Sequence, residues 1–291
     1  MPVIRLETKT VAKPWGRWST GPWFDDVAAR EEPVGEIWFE LPPGSGLDDP
    51  ELLVKYLFTS RRLSVQVHPD DATAKAYGLP RGKSEAWQIL EAEPGASVAL
   101  GLRTWVTRER LRAAARDGSI VGLLDWKPAR AGDFWYAPAG TIHAIGAGLS
   151  LIEIQQNVDV TYRLYDYGSN RELHLDEAVE AARPAPYEAP FAPFELARGR
   201  RVLAAGGPFV VERWADAFTG ILAPRRGEPV WLIPLRGEAV VGSEPIEPGG
   251  VWIVAGDAGV NFTGSCDLLV AYSGRAVHEA LISRSRNERQ S

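Results

Sequence analysis

The chain has little that would cross-link it or anchor it in a membrane. Its 291 residues include a single cysteine, Cys266, which excludes an internal disulfide and leaves any metal site to histidine, carboxylate and amide ligands. No uninterrupted apolar run approaches the ~20 residues of a membrane helix. The N-terminal segment MPVIRLETKT also lacks the apolar core of a signal peptide. We therefore expect a cytoplasmic protein without a membrane partner.

An excess of positive charge is absent too. The formal net charge is -6, which speaks against a nucleic-acid partner or an anionic membrane, because no broad basic field is available. A small phosphorylated substrate needs only a local cluster of cations and stays possible. The content of 45% hydrophobic and 24% charged residues is typical of a globular protein, and the length suffices for one large or two ordinary domains.

One stretch stands out, from Gly132 to His143 (GDFWYAPAGTIH). It combines two turns with a short aromatic strand and presents the histidine at the start of the next strand. The spacing of its glycines, proline and histidine resembles the second sequence motif of the cupin barrels. That resemblance implies a histidine that points into a small β-barrel and binds a metal. A lone histidine is more often a core or surface residue, so His143 needs partners.

Candidate partners lie upstream on two strands. Strict alternation in RLSVQVH, residues 62–68, places three polar side chains on one strand face: Ser64, Gln66 and His68. On the next strand Glu85 shares a face with Lys83. A catalytic zinc takes about three protein ligands and keeps one position open. The alternatives are a wet strand face and an exposed ion pair that contributes little, and such long spacings do not show by themselves that the ligands converge.

The rest of the chain predicts a mainly β protein with two units. We expect a metal-binding unit over residues 1–183, with a helical insertion at about 107–124 that begins at the N-cap Thr107. Prolines between residues 184 and 194 mark a boundary. A second β unit, residues 195–282, has the rhythm of the first without its histidines, which suggests an internal duplication. We expect a disordered tail at 283–291, a continuous strand through residue 167, and a solvent-exposed head group for Lys55.

Four segments together resemble the type I phosphomannose isomerases, in particular their short bacterial form. They are SVQVHPDD (64–71), GKSEAW (82–87), GDFWYAPAGTIHAIGAG (132–148) and QQNVDVTYRLYDYG (155–168). The similarity runs from about Lys13 to Ala182 in consistent order. It implies a cupin (jelly-roll) barrel followed by a degenerate cupin-like barrel, one bound zinc ion, and interconversion of mannose 6-phosphate and fructose 6-phosphate.

The resemblance also assigns roles to individual residues. The metal ligands are the residues that match Gln66, His68, Glu85 and His143. The active-site arginine matches Arg163, and the residues that match Ser64 and Lys83 lie at the substrate pocket. Relatives commonly carry an arginine just after the YDYG motif, where this chain has Ser169-Asn170. Arg171 or a lysine must therefore replace that arginine if it helped to hold phosphate.

The chemistry is consistent with these residue types. Aldose–ketose isomerisation moves a proton between C2 and C1 through an enediol. A divalent ion and a permanently charged guanidinium can both stabilise the developing charge. Lys83 is a candidate proton carrier if a nearby cation and partial burial depress its pKa, and His174 is a weaker one.

Three alternatives stay open at this point. The chain could be a cupin isomerase for another sugar phosphate, or a sugar-sensing cupin that has lost catalysis. A cupin dioxygenase would prefer two histidines and a carboxylate around iron, and Gln66 argues against it. We expect a monomer, because a duplicated β unit can cover one face of the first.

Overall fold

Short strands form most of the chain, as its alternating apolar segments predict. The computed structural model describes residues 3–24 and 31–284, and its strands form two successive β-barrels. After an N-terminal strand, β1 (Val3–Arg5), the first barrel contains β2 (Glu7–Arg17), β3 (Val34–Glu40), β4 (Leu52–Thr59), β5 (Val65–Val67), β6 (Glu85–Ala92), β7 (Ser97–Leu102), β8 (Leu124–Pro128), β9 (Phe134–Ala137), β10 (His143–Ile145), β11 (Leu149–Gln156) and β12 (Tyr162–Tyr165).

The second barrel follows in the same style. Its strands are β13 (Phe194–Ala197), β14 (Arg200–Ala204), β15 (Phe209–Ala215), β16 (Phe218–Leu222), β17 (Val230–Arg236), β18 (Ala239–Val241), β19 (Glu244–Ile246), β20 (Trp252–Val254), β21 (Ala258–Phe262), β22 (Asp267–Ser273) and β23 (Ile282–Arg284). The helices are α1 (Asp71–Ala76), α2 (Arg108–Asp117), α3 (Ile120–Leu123) and α4 (Leu175–Ala181), with short 3-10 helices at Gly21–Trp23 and Glu279–Leu281. None of the helices described is long and apolar enough to cross a membrane.

The two barrels have the same strand order. In the first, one sheet runs β2-β3-β4-β11-β6-β9 and the other β12-β5-β10-β7-β8. In the second, the corresponding orders are β13-β14-β15-β22-β17-β20 and β23-β16-β21-β18-β19. Each strand of the first barrel thus has a counterpart numbered eleven higher, from β2 with β13 to β12 with β23. This correspondence supports the internal duplication that the sequence rhythm predicts, and two facing antiparallel sheets per unit confirm the mainly β, cupin-like class.

The strand registers identify which residues of the second barrel occupy the positions of the predicted ligands. Glu85 pairs with Ala137 and Gln155, whereas Val230 pairs with Val254 and Tyr272. Both partner pairs are 117 positions apart (137 to 254 and 155 to 272). The same separation of 117 positions makes Val260 the counterpart of His143. His143 pairs with Gln66 and Val260 pairs with Gly220, so Gly220 is the counterpart of Gln66.

The equivalent region of the second barrel is therefore filled with apolar side chains. Val230, Val260 and Leu222, which corresponds to His68, all belong to the buried hydrophobic core of that barrel. Valine and leucine offer no ligand atoms, so this core supplies packing where the first barrel offers polar groups.

The N-terminal strand departs from the division at residue 183 that we predicted. β1 pairs with β20 of the second barrel, with Val3 opposite Val254, so the first residues complete the second barrel's sheet. The larger sheets of the two barrels also share one hydrophobic core, in which Tyr56 and Ile152 of the first meet Trp231 and Leu269 of the second. Residues 285–291 of the predicted tail lie outside the described residues, and Ser283 and Arg284 belong to β23.

Helices cover the outer face of the β12-β5-β10-β7-β8 sheet. The predicted insertion is confirmed: the Thr107 hydroxyl accepts from the Arg110 N–H, and Gly118 ends α2 in the left-handed conformation. Side chains from α2, α3 and α4 pack on the outward-facing apolar residues of β5 and β12. The predicted continuous strand through residue 167 was wrong, because the backbone leaves one sheet after Gln156 and enters the other sheet of the barrel at Tyr162.

Candidate metal centre and active-site cavity

Three of the predicted ligands meet inside the first barrel. His68, Glu85 and His143 are almost fully buried, and their ligand atoms all lie within 4.8 Å of one another. His68 Nε2 is 3.0 Å from Glu85 Oε1, and His143 Nε2 is 3.6 Å from Glu85 Oε2. We call these three residues the ligand cluster. It is the arrangement that the sequence could not demonstrate: two imidazoles and one carboxylate directed at a common point.

The donor atoms of the ligand cluster do not satisfy one another. Both ring nitrogens of His68 are buried and lack a partner with hydrogen-bond geometry, which is costly unless a further group meets them. Oε1 of Glu85 also lacks a well-aligned hydrogen bond, and the charge of Lys83 at 2.9 Å stabilises it instead. His143 Nδ1 donates to the carbonyl of Thr141 over 2.8 Å, which leaves the Nε2 lone pair toward the cluster. Buried, neutral imidazole nitrogens beside a carboxylate fit a divalent metal ion.

Tight backbone contacts bring these side chains together. Gly82 lies against the backbone at Asp70, where an added Cβ would come within 2.5 Å of a carbonyl carbon. This approach lets Lys83 N–H donate to the Pro69 carbonyl beside His68. On the other side Gly140, with φ of +84°, makes the turn before His143 and donates its N–H to the His68 carbonyl.

Burial and neighbouring charges set the protonation of the ligand cluster. Burial, with a further contribution from Lys83, lowers the pKa of His68 to about 3, and burial lowers the pKa of His143. For Glu85, burial acts to raise the pKa, but Lys83 and His68 outweigh it and hold the pKa well below its usual range. The residues therefore present two neutral imidazoles and an ionised carboxylate near neutral pH.

Gln66 lies next to the ligand cluster, and its amide nitrogen, not its amide oxygen, faces the cluster. Its Nε2 lies 3.2 Å from His143 Nε2, while its Oε1 accepts from the Ser64 hydroxyl at 3.3 Å. The oxygen, which is the ligating atom of an amide, would face the cluster after a half-turn of the amide group. Gln66 also lines the cavity above the cluster, so ligation by this residue stays a prediction.

Lys83 differs from its expected state in two respects. It is buried, and its Nζ lies 2.9 Å from Glu85 Oε1, so the exposed ion pair considered above was wrong. A role for Lys83 as proton carrier also depended on a depressed pKa, and that condition is not met. Burial acts to lower the pKa of Lys83, but Glu85 and Glu153 outweigh burial and raise it. Lys83 is thus a charged donor that lines the cavity and contacts the ligand cluster.

A second buried cluster was missed from the sequence. Lys55 Nζ lies 3.6 Å from Glu36 and 3.7 Å from Glu153, and stands 4.3 Å from the ring centre of Trp38. We call Lys55, Glu36 and Glu153 the lysine–glutamate cluster. The prediction of an exposed Lys55 was wrong. The available signal was one charge in each of two apolar strands, LLVKYLF and LSLIEIQ, since a charge buried there requires a partner.

Glu153 is the carboxylate of this cluster with the most altered acidity. Burial and the neighbouring Glu85 raise its pKa from 4.5 to about 7, against the opposing effect of Lys55 and Lys83. Glu153 also lines the cavity. A carboxyl group with a pKa near neutrality is suited to accept and return a proton.

Arginines line the opposite side of the cavity. Arg163 projects from β12, its Nε is buried without a hydrogen-bond partner, and it forms no ion pair within the part of the chain that the structure describes. Arg171 makes a bidentate pair with Asp166 (2.6 Å for each bond). Ser64 lines the same cavity. Arg171 further borders an adjoining surface groove that Arg61 and Arg62 share.

His174, the weaker candidate proton carrier, lies elsewhere. Its Nδ1 accepts from the backbone N–H of Arg163 at 3.3 Å, and the residue is not part of the cavity lining described above. The structure thus brings seven predicted site residues around one cavity and its floor, with Arg171 at the rim: Ser64, Gln66, His68, Lys83, Glu85, His143 and Arg163.

Comparison with known proteins gives this arrangement a context. No protein-family model matches the chain. A mannose-6-phosphate isomerase of Streptococcus mutans is 41% identical over 135 residues, which is 44% of this chain and 42% of that protein. The mannose 6-phosphate isomerase structure from Bacillus subtilis superposes with a TM-score of 0.76 at 26% identity, and covers 93% of this chain and 99% of that one. The chain is thus similar to mannose-6-phosphate isomerases in sequence over part of its length and in fold over nearly all of it.

The sequence and fold similarities differ in extent. The matched segments span half or less of the chain and half or less of each curated mannose-6-phosphate isomerase compared. A zinc-bound mannose 6-phosphate isomerase structure has the same fold over 94% of this chain and 100% of its own, with a TM-score of 0.69 and 14% identity. The two-barrel fold of these isomerases is therefore present along nearly the whole chain.

The ligand cluster leads to a first prediction. We expect the purified protein to hold about one divalent ion per chain, and His143→Ala to remove most of it, because a three-ligand site loses an imidazole. His278→Ala is the matched control, since His278 lies in the second barrel beside an apolar core. Metal content measured by elemental analysis checks both variants. Equal loss of metal from the two variants would place the site outside the ligand cluster.

Glu153 leads to a second prediction, for the metal-free protein. Its pKa is about 7 in the fold and 4.5 as the ordinary value, so the folded state binds the proton more tightly. The resulting stabilisation is complete below pH 4.5 and is lost as the pH rises to 7. Glu153→Gln should remove this decline, and the difference between wild type and variant should change by on the order of 3 kcal/mol across that range. Denaturant unfolding at a series of pH values measures it, and parallel curves for the two proteins would contradict the prediction.

Proposed function

We propose that the protein is a metal-dependent aldose–ketose isomerase that interconverts mannose 6-phosphate and fructose 6-phosphate through a cis-enediol. The observation that carries the proposal is the ligand cluster, buried and unsatisfied beneath a cavity lined by cations and Glu153. The similarity in sequence and fold to proteins named mannose-6-phosphate isomerase supports mannose 6-phosphate as the aldose substrate, and fructose 6-phosphate is the ketose that its isomerisation gives. We further propose that the protein is located in the cytoplasm and acts as a monomer.

We propose zinc as the metal, one ion per chain, held by His68, Glu85 and His143 with Gln66 as the fourth ligand. Two neutral imidazoles and a carboxylate are common zinc ligands, and a structural neighbour is zinc-bound. When bound, the ion supplies Lewis-acid polarisation of the sugar's carbonyl oxygen. Its two positive charges would also compensate the buried Glu85.

The chain's own residues divide the remaining work. Glu153 is proposed to move the proton between C2 and C1, since its pKa of about 7 lets it both accept and return a proton at neutral pH. Lys83, kept charged by Glu85 and Glu153, is proposed to stabilise the transition state by donating to a substrate oxygen. Arg163 stabilises the enediolate with its unpaired guanidinium.

The phosphate requires cations at the rim. Arg171 is proposed to bind it, because its guanidinium is oriented by Asp166 and borders both the cavity and the groove next to it. The hydroxyl of Ser64 and Nζ of Lys83 line the path between the rim and the ligand cluster. This assignment lets Arg171 take the place of the arginine that relatives carry just after the YDYG motif.

Two other functions are less well supported. A sugar-sensing protein without catalysis would not need the ligand cluster, Glu153 and Arg163 kept together around one cavity. An isomerase for another sugar phosphate would use the same groups, and no contact described here selects one epimer. The dioxygenase alternative has less support, since the similar proteins reported above are named isomerases.

A coupled assay tests the proposal. The metal-loaded protein should convert mannose 6-phosphate to fructose 6-phosphate, and glucose 6-phosphate and unphosphorylated mannose serve as competing substrates. A higher kcat/KM for another aldose phosphate would transfer the proposal to that substrate. Absence of turnover with every aldose phosphate, combined with tight binding of one, would favour the sensor.

Arg163 leads to a third prediction. Arg163→Ala should lower kcat by roughly 10²–10³, the range for loss of one donor to a developing oxyanion. Metal content and thermal stability should stay near wild type, because the guanidinium has no ion-pair partner among the described residues. Arg163→Lys should not restore activity, since a point charge lacks the planar fork. Steady-state kinetics decides: an unchanged kcat with a raised KM would make Arg163 a phosphate ligand.

A further inference from the structure

His174 is bonded to the main chain of Arg163 on both sides of that residue. The backbone N–H of Arg163 donates to the ring Nδ1 of His174 over 3.3 Å, and the backbone N–H of His174 donates to the carbonyl of Arg163 over 2.9 Å. The carbonyl of His174 accepts from the Ala178 N–H and so begins α4. One residue thus ties the start of a helix to both peptide groups of Arg163.

These bonds replace a missing neighbouring strand. β12 lies at the edge of its sheet and pairs with β5 on one side only, with Arg163 opposite Gln66. Since the N–H and C=O of Arg163 both bond to His174, Arg163 and Gln66 form a non-hydrogen-bonded pair, the type in which opposed residues lie closer together. His174 therefore closes the open edge at the position that carries the cavity arginine.

The position needs such support for two further reasons. The register of β12 against β5 shifts between Arg163 and Tyr165, so the regular ladder is interrupted directly after Arg163. The guanidinium also has no carboxylate partner within ion-pair distance among the described residues. Its direction therefore depends on the backbone from which it projects.

The helix that carries His174 is itself fixed. Ala178 and Val179 of α4 are buried in the core that includes Tyr162 and Leu164 of β12. The rings of His174 and Tyr162 lie 6.3 Å apart. A helix packed on one face of β12 can hold the edge of that strand without entering the cavity on its other face.

We propose that His174 is a positioning residue for the isomerase reaction, which holds the backbone of Arg163 so that its guanidinium points at the reacting sugar. The inference rests on the proposed function and on the role of Arg163 in it. In this role Nδ1 of His174 is the acceptor for the Arg163 N–H. Misplacement of a catalytic group by about 1 Å is enough to reduce turnover.

Three substitutions separate this role from general packing. The side-chain oxygen of His174→Asn can stand where Nδ1 stands and accept the same N–H, whereas that of His174→Gln reaches the Nε2 position, and His174→Ala has no acceptor. We expect kcat to fall about tenfold in the alanine and glutamine variants, with KM changed less than about twofold. The asparagine variant should keep a kcat close to wild type. Metal content should be the same in all four proteins.

Hydrogen exchange at the Arg163 amide supplies a readout that does not need activity. It should be faster in His174→Ala than in wild type and slowed again in His174→Asn. Unchanged exchange in His174→Ala would overturn the inference, as would an asparagine variant as slow in turnover as the alanine one. If the wild type showed no isomerase activity, the proposed function would fail. The exchange measurement would still decide whether His174 holds Arg163.

Discussion

The site in the first barrel depends on one buried negative charge, the carboxylate of Glu85, which the surrounding protein groups compensate only in part. Glu85 is only 1% exposed, and the cost of burying its carboxylate is offset mainly by the charged Lys83, whose Nζ lies 2.9 Å from Oε1. Even so, several donor and acceptor atoms of the ligand cluster stay without hydrogen-bond partners. A divalent cation at that point would neutralise the carboxylate and use the free imidazole nitrogens. We infer that one cation would have two effects: it would compensate the buried charge of Glu85, and it would serve as the Lewis acid of the reaction.

The second barrel has the same fold but no polar side chain at the position of Glu85. The registers that equate Glu85 with Val230 also equate Lys55 with Glu212 and Glu36 with Arg200. The second barrel therefore keeps a buried ion pair with the charges exchanged. Arg200 and Glu212 bond twice at 2.9 Å, and the carboxylate also accepts from Trp214 and Tyr272. Both carboxylate oxygens of Glu212 thus have hydrogen-bond partners. The Nζ of Lys55, in contrast, lies 3.6 Å from Glu36 and 3.7 Å from Glu153, beside the cavity.

The sequence predicts local features well and long-range ones poorly. Alternation in RLSVQVH separates the cavity-facing Ser64 and Gln66 from the core residues Val65 and Val67, and the N-cap Thr107 marks α2 correctly. Lys55 illustrates the limit. A single charge in an apolar strand has the same local pattern whether it reaches solvent or a barrel interior. Only the pairing of β4 with β11, which sets Lys55 opposite Glu153 across almost a hundred residues of chain, distinguishes the two.

Metal titration followed by activity tests the central claim most directly, namely that the ligand cluster holds the ion on which isomerisation depends. Protein stripped with a chelator should be inactive with mannose 6-phosphate, and activity should return in proportion to added zinc and reach its maximum at about one equivalent per chain. The same titration of His143→Ala should restore nothing. Full activity of the stripped wild-type protein, or equal recovery in His143→Ala, would contradict the account.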